Sequence, residues 1–107
     1  MRSINKVLLV GAIGRDPDVQ IKDDGSKVAH TSMVTTEVVN GVDLTAWHRL
    51  VLRGRHAQTA EDYIRKGNRV LVHGRLEYDT FEKLGDTVSV VAIDVAEIML
   101  LSSKDYE

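Results

Sequence analysis

Asn40-Gly41, followed by Val42-Asp43-Leu44-Thr45-Ala46-Trp47-His48-Arg49-Leu50-Val51-Leu52-Arg53, is the stretch on which the fold turns. Asn and Gly both tolerate the positive φ that a type I′ turn demands, so Asn40-Gly41 joins two antiparallel strands. The strand before it runs from about Lys27 to Val39 and is rich in Val and Thr. In the strand after it, side chains alternate between two faces. Trp47, Arg49, Val51, Arg53 and, by parity, Arg55 share one face, and Ala46, His48, Leu50 and Leu52 share the other. One face is therefore aromatic and basic, the other largely apolar.

Towards the N-terminus, Ile4 to Val10 is an almost unbroken apolar run that stops at Gly11 and Gly14, the pattern of a strand covered on both faces. Arg15-Asp16-Pro17-Asp18 breaks it, a short extended piece spans Val19 to Lys22, and Asp23-Asp24-Gly25-Ser26 has turn chemistry. Towards the C-terminus, His56 to Lys66 is the one good helix candidate, with Ala57, Ala60, Tyr63 and Ile64 on one face. Arg65 and Lys66 suit a last helical turn, and Gly67 stands where a C-cap wants glycine. Arg69 to about Phe81 reads as a strand, Leu84-Gly85-Asp86 as a turn, and Thr87 to Leu101 as a final strand.

Three long strands, a helix and two more strands is the order of an all-β fold with one helix, the five-stranded Greek-key OB barrel. It is expected over residues 1–102, with a short polar tail at 103–107. Apolar side chains on both faces of the first and last strands exceed what one small barrel interior can hold. Outward-facing Leu and Val are thus expected to cover a partner subunit.

The chain has 107 residues, 43% of them hydrophobic, and no apolar run near the roughly 18 residues of a membrane span. No secretory signal pattern is visible at Met1 to Ile4, so a cytoplasmic, nucleoid-associated location is expected. Cysteine is absent, and His30, His48, His56 and His73 lack metal-ligand spacing, so neither metal nor cofactor is expected. Phosphate loops, nucleophile elbows and HExxH patterns are missing, which leaves an enzyme reading unsupported and a binding module in its place. The formal charge of −2 argues mildly against nucleic acid, so any case for DNA rests on where the basic residues lie. Trp47 beside Arg49, Arg53 and Arg55 suits a base stacking on indole and phosphates tracked by guanidiniums, although a lone tryptophan is more often a core residue.

Asn5-Lys6-Val7-Leu8-Leu9-Val10-Gly11, Gly14-Arg15-Asp16-Pro17, Thr45-Ala46-Trp47-His48-Arg49, Tyr63-Ile64-Arg65-Lys66-Gly67 and Gly74-Arg75-Leu76, in that order, resemble the bacterial single-stranded DNA-binding protein family. The resemblance runs from about Ile4 to Leu101. It implies an OB-fold that assembles, usually as a homotetramer and with a dimer left open, and around which single-stranded DNA wraps. It further implies a stacking role for Trp47 and Phe81 and phosphate contacts for Arg49, Arg55 and Lys66. Arg15 and Lys6 would line the same groove; Arg53, from the basic face of its strand rather than from the resemblance, and Arg75 are expected to hold phosphates beside them. His48, with Val7, Leu8 and Leu9, would serve subunit assembly.

The departures from the family matter as much. Val38-Val39 stand where a stacking aromatic is common, and Arg53 where a second aromatic is usual. Glu77 and Asp79 share the parity of Phe81 and replace residues that are typically basic, so they would repel phosphate. Tyr78 could stack in compensation or pack instead. The family's long tail with an acidic tip, which recruits replication and repair partners, is not seen, so the chain reads as a compact member or as a core cut from a longer protein. A second reading follows from these departures: a diverged OB-fold accessory of replication with weak DNA affinity that acts through protein contacts.

Overall fold

The computed structural model describes residues 1–102, and the tail expected at 103–107 lies outside the described residues. The elements are β1 (Val7–Ile13), β2 (Asp18–Ile21), β3 (Lys27–Val39), β4 (Val42–Arg53), α1 (Arg55–Tyr63), β5 (Arg69–Lys83) and β6 (Asp86–Ser102). β1 pairs with β5, β5 with β6, and β4 with β3, all antiparallel. β6 meets β4 in parallel at Leu50↔Ile93 and Val51↔Asp94. The ring closes where Ala12 and Ile13 of β1 pair with Val34 and Met33 of β3. These five strands form the expected barrel, and β2 adds to the outer edge of β3.

Asn40 and Gly41 adopt φ of 51° and 79°, as the hairpin reading requires, and Leu84 and Gly85 repeat the device with 53° and 85° at the tip of the β5–β6 hairpin. At the β2–β3 turn Asp24 Oδ1 accepts from both the backbone N–H and the hydroxyl of Ser26, at 2.9 and 2.6 Å. These hydrogen bonds favour the carboxylate, the hydroxyl most, and hold the Asp24 pKa below its ordinary value.

The structure corrects the start of the chain. The first strand begins at Val7 rather than Ile4 and continues past Gly11 to Ile13. Ahead of it, the Asn5 side chain takes over the ladder, accepting from Leu76 N and donating to Leu76 O, both at 2.9 Å. Gly11 does not end the strand but lets β3 close in, since a Cβ there would run into the Val34 carbonyl.

The helix is likewise shorter than its pattern. Ile64 is already extended, and Gly67, at φ 92°, belongs to the turn into β5 rather than to a C-cap. Ala57, Ala60 and Ile64 are buried as expected, but Tyr63 is exposed. The two small alanines bring the helix close to the barrel and leave the phenol no room beneath it. Arg65 and Lys66 fall outside the last turn, yet Arg65 Nη1 still donates to the Ile64 carbonyl at 2.6 Å.

Alternate residues of the strands fill the interior. Ile13, Met33, Leu50, Leu52, Val70, Val72, Ile93 and Val95 are all buried with the apolar face of α1. Each aliphatic side chain so buried contributes about 1.5–3 kcal/mol. Asn68 plugs the helix end: its backbone carbonyl accepts from Ile13 N at 2.8 Å, and its Oδ1 accepts from Arg65 N at 2.7 Å. No helix among the described residues is long and apolar enough to cross a membrane.

Candidate nucleic-acid interface

Leu50 and Leu52 commit one face of β4 to the core, and the opposite face turns Trp47, Arg49 and Arg53 outward, although Val51 between them is buried. Trp47 is 66% exposed there, which sets aside its reading as a core residue in this chain, and Arg49 and Arg53 are exposed beside it. Over this face stands the β5–β6 hairpin, and a cleft of about 630 Å³ lies between them. Arg15, Trp47, Arg49, Arg53 and Phe81 line it together, along with Glu77 and Asp79. Phe81, 34 residues beyond Trp47 by numbering, is half-exposed on the opposing wall.

Lys6, Arg55, Lys66 and Arg75, expected on the same path, do not line this cleft. Lys6 lies ahead of β1, Arg55 opens α1, and Lys66 is held by its backbone N–H, which donates to Asp16 Oδ1 at 2.8 Å. Val38 and Val39 are exposed near the tip of the β3–β4 hairpin, so no aromatic stands at that place. Tyr78 is exposed, with side-chain parity opposite to Phe81, and does not line the cleft.

Two features of the cleft escape a reading of parity. The first is Gly14: a Cβ there would lie 2.5 Å from Trp47 Cζ3 and 2.8 Å from Ser32 Oγ. The bare glycine thus makes the seat on which the indole rests. The adjoining backbone is tied down, since Thr31 Oγ1 donates to the Arg15 carbonyl at 2.7 Å.

The second is a ring of charge. Arg53 Nη1 donates to Asp94 Oδ1 at 2.6 Å and Nη2 to Glu77 Oε1 at 3.2 Å. Arg75 Nη1 lies 3.5 Å from Glu77 Oε2 and 3.7 Å from Asp94 Oδ2. Desolvation opposes the Arg53 charge, but Glu77 and then Asp94 outweigh it and raise the guanidinium pKa above its ordinary value. Arg15 and Arg49 make no ion pair among the described residues.

His48, on the inner parity of β4, is half-buried, and its Nε2 shares a 2.8 Å hydrogen bond with the hydroxyl of buried Thr35. Of the β1 residues expected at an interface, Val7 and Leu9 pack against the core, whereas Leu8 is 68% exposed. Val10 is exposed on the same side, and Met99 of β6 continues this apolar face across β5 through Leu71. Among the described residues no three His, Asp or Glu side chains are grouped so as to hold a metal ion.

A five-stranded OB barrel with an aromatic and basic cleft on its second and third barrel strands, β3 and β4, is an oligomer-binding architecture, whose class takes oligonucleotides or oligosaccharides at this place. Residues 4–101 match the single-strand binding protein family, and the chain belongs to it. It is 40% identical over 85 residues to a "Single-stranded DNA-binding protein" of Xanthomonas campestris pv. campestris, covering 75% of this chain and 49% of that one. A protein of the same name from Xanthomonas axonopodis pv. citri is also 40% identical over 85 residues, with 75% and 47% covered. The chain thus spans about half the length of the curated relatives it matches. Among solved structures, "Plasmodium falciparum SSB complex with ssDNA" superposes with a TM-score of 0.90 at 29% identity, over 95% of this chain and 98% of that one.

Proposed function

We propose that this chain binds single-stranded DNA irrespective of base sequence and shields it during replication, recombination and repair, in the cytoplasm, as a non-catalytic OB-fold domain over residues 1–102. The observation that carries the reading is Trp47, exposed in one cleft with Arg15, Arg49 and Phe81. Indole and phenyl faces accept any base by stacking, each worth about 1–3 kcal/mol, and the free guanidiniums hold phosphates without reading sequence. The single-stranded DNA in the P. falciparum complex and the names of the Xanthomonas relatives point to the same ligand.

In this reading the protein self-associates, as a homotetramer by family resemblance, through the outer side of β1 where Leu8 and Val10 are exposed, with His48 contributing to assembly. Light scattering on the eluting protein checks this, and a monomeric mass at micromolar concentration would sink it. DNA then wraps from the cleft towards Arg55, Lys66 and Lys6 on the surface around it.

A second reading, a diverged accessory with weak DNA affinity, is favoured by one observation: Arg53 and Arg75 are already ion-paired. Anisotropy of labelled oligo-dT, of a mixed-sequence single strand and of a duplex separates the two. The single-strand reading expects both single strands to bind with similar affinity and more than about tenfold tighter than the duplex at low salt. Equal binding of duplex and single strand, or none at low salt, overturns it.

A further inference from the structure

The arginines in and beside the cleft are of two kinds, with Arg53 on its wall and Arg75 just outside it. Arg49 and Arg15 are free, while Arg53 and Arg75 each face both Glu77 and Asp94. Each carboxylate gives one oxygen to each arginine, so the four side chains form a closed ring with no net charge. The backbone fixes this arrangement, because Arg75 is the register partner of Asp94 and Asp94 is the register partner of Val51 on β4. The guanidiniums are the more exposed members, 45% and 52% against 32% and 29% for the carboxylates, so they face outward over an acidic floor.

We propose that Glu77 and Asp94 determine the affinity and salt response of the cleft by neutralising Arg53 and Arg75, so that a phosphate placed there competes with a carboxylate for each guanidinium. This rests on the single-strand reading above. A phosphate approaching the ring meets no net charge, and the favourable release of counterions that normally drives such binding is offset until a carboxylate is displaced. The ring therefore acts as an internal phosphate substitute. It shifts the weight of binding to stacking on Trp47 and Phe81 and leaves Arg15 and Arg49 as the cleft's unpaired arginines. Asp79 lines the same cleft but makes no ion pair among the described residues, so its charge repels phosphate without holding an arginine.

The test compares Glu77→Gln, Asp94→Asn, the double variant and Asp79→Asn by oligo-dT anisotropy across a salt series from about 50 to 200 mM. Glu77→Gln and Asp94→Asn should each bind roughly threefold tighter at the low-salt end. Each should also steepen the slope of log affinity against log salt by about 0.7, and the double variant by about twice that, because every carboxylate removed lets the cleft neutralise one more phosphate. Asp79→Asn, which removes the same charge from the same cleft without freeing an arginine, should leave the slope at the wild-type value. Wild-type binding with unchanged slopes in all the ring variants overturns the proposal while leaving the single-strand reading intact. No binding by the wild type or by the double variant at low salt overturns the single-strand reading itself.

Discussion

The two ends of the cleft use the same residue type to opposite effect. At one end Arg49 and Arg15 stand unpaired beside an indole that rests on Gly14; at the other, Arg53 is closed into a ring with Glu77, Asp94 and, beyond the cleft lining, Arg75. Arg49 and Arg53 on β4 and Arg75 on β5 all occupy exposed positions of their strands, so counting basic residues on a face would rate the ends alike. What separates them is which acidic residue the sheet register sets opposite. A basic face is thus a matter of pairing as much as of composition, and a chain of net charge −2 can still present free cations where they are needed.

Removing the stacking platform should separate the ends most sharply. Trp47→Ala should weaken oligo-dT binding about tenfold to hundredfold, the range that loss of one stacked base supports. An unchanged affinity would mean the aromatic end is not where DNA binds. Gly14→Ala leaves every charge in place but drives a methyl group into the indole, so roughly a fivefold loss is expected, as overpacking a tight seat displaces its occupant. Its tryptophan emission should shift before any DNA is added, and an unshifted spectrum with wild-type affinity would contradict the seat. Arg49→Gln should lower affinity about threefold and flatten the salt slope by about 0.7, since a free cation is lost. Arg53→Gln should have the smallest effect, a loss of about twofold from the carboxylate charge it leaves unbalanced and no change of slope, because it neutralises Asp94 and Glu77 rather than a phosphate. Equal losses in these two variants would erase the distinction between the ends.

The frame of the molecule is more legible in the sequence than its details. Asn40-Gly41 fixes the β3–β4 hairpin through local backbone preference, and the alternation along β4 then separates Leu50 and Leu52 from Trp47 and Arg49 without reference to any other strand. Local patterns mislead where a distant residue decides. Ile4 to Lys6 look like strand, but Asn5 spends its side chain on Leu76, and Gly11 looks like a stop only until β3 is seen lying against it. The helix pattern runs on to Lys66 because Ile64 is buried on the same side as Ala57 and Ala60, although its backbone is already extended. The site divides in the same way. That Trp47 and Arg49 share a face opposite Leu50 and Leu52 follows from parity, whereas their exposure while Val51 of that face is buried, the Gly14 seat and the pairing of Arg53 with residues 24 and 41 positions away depend on how the barrel closes. Nor does an unbroken apolar run tell Leu8, which faces outward, from Val7 and Leu9, which pack inward; the pairing of β1 with β5 decides that.

The central claim is that a DNA base stacks on Trp47, and this is the chain's only tryptophan. Its fluorescence therefore reports on the proposed platform with no competing signal. The purified protein titrated with a long oligo-dT at two salt concentrations should show strong quenching that saturates at low salt and weakens at high salt. Oligo-dT that binds by anisotropy yet leaves the tryptophan emission unchanged would contradict stacking at Trp47.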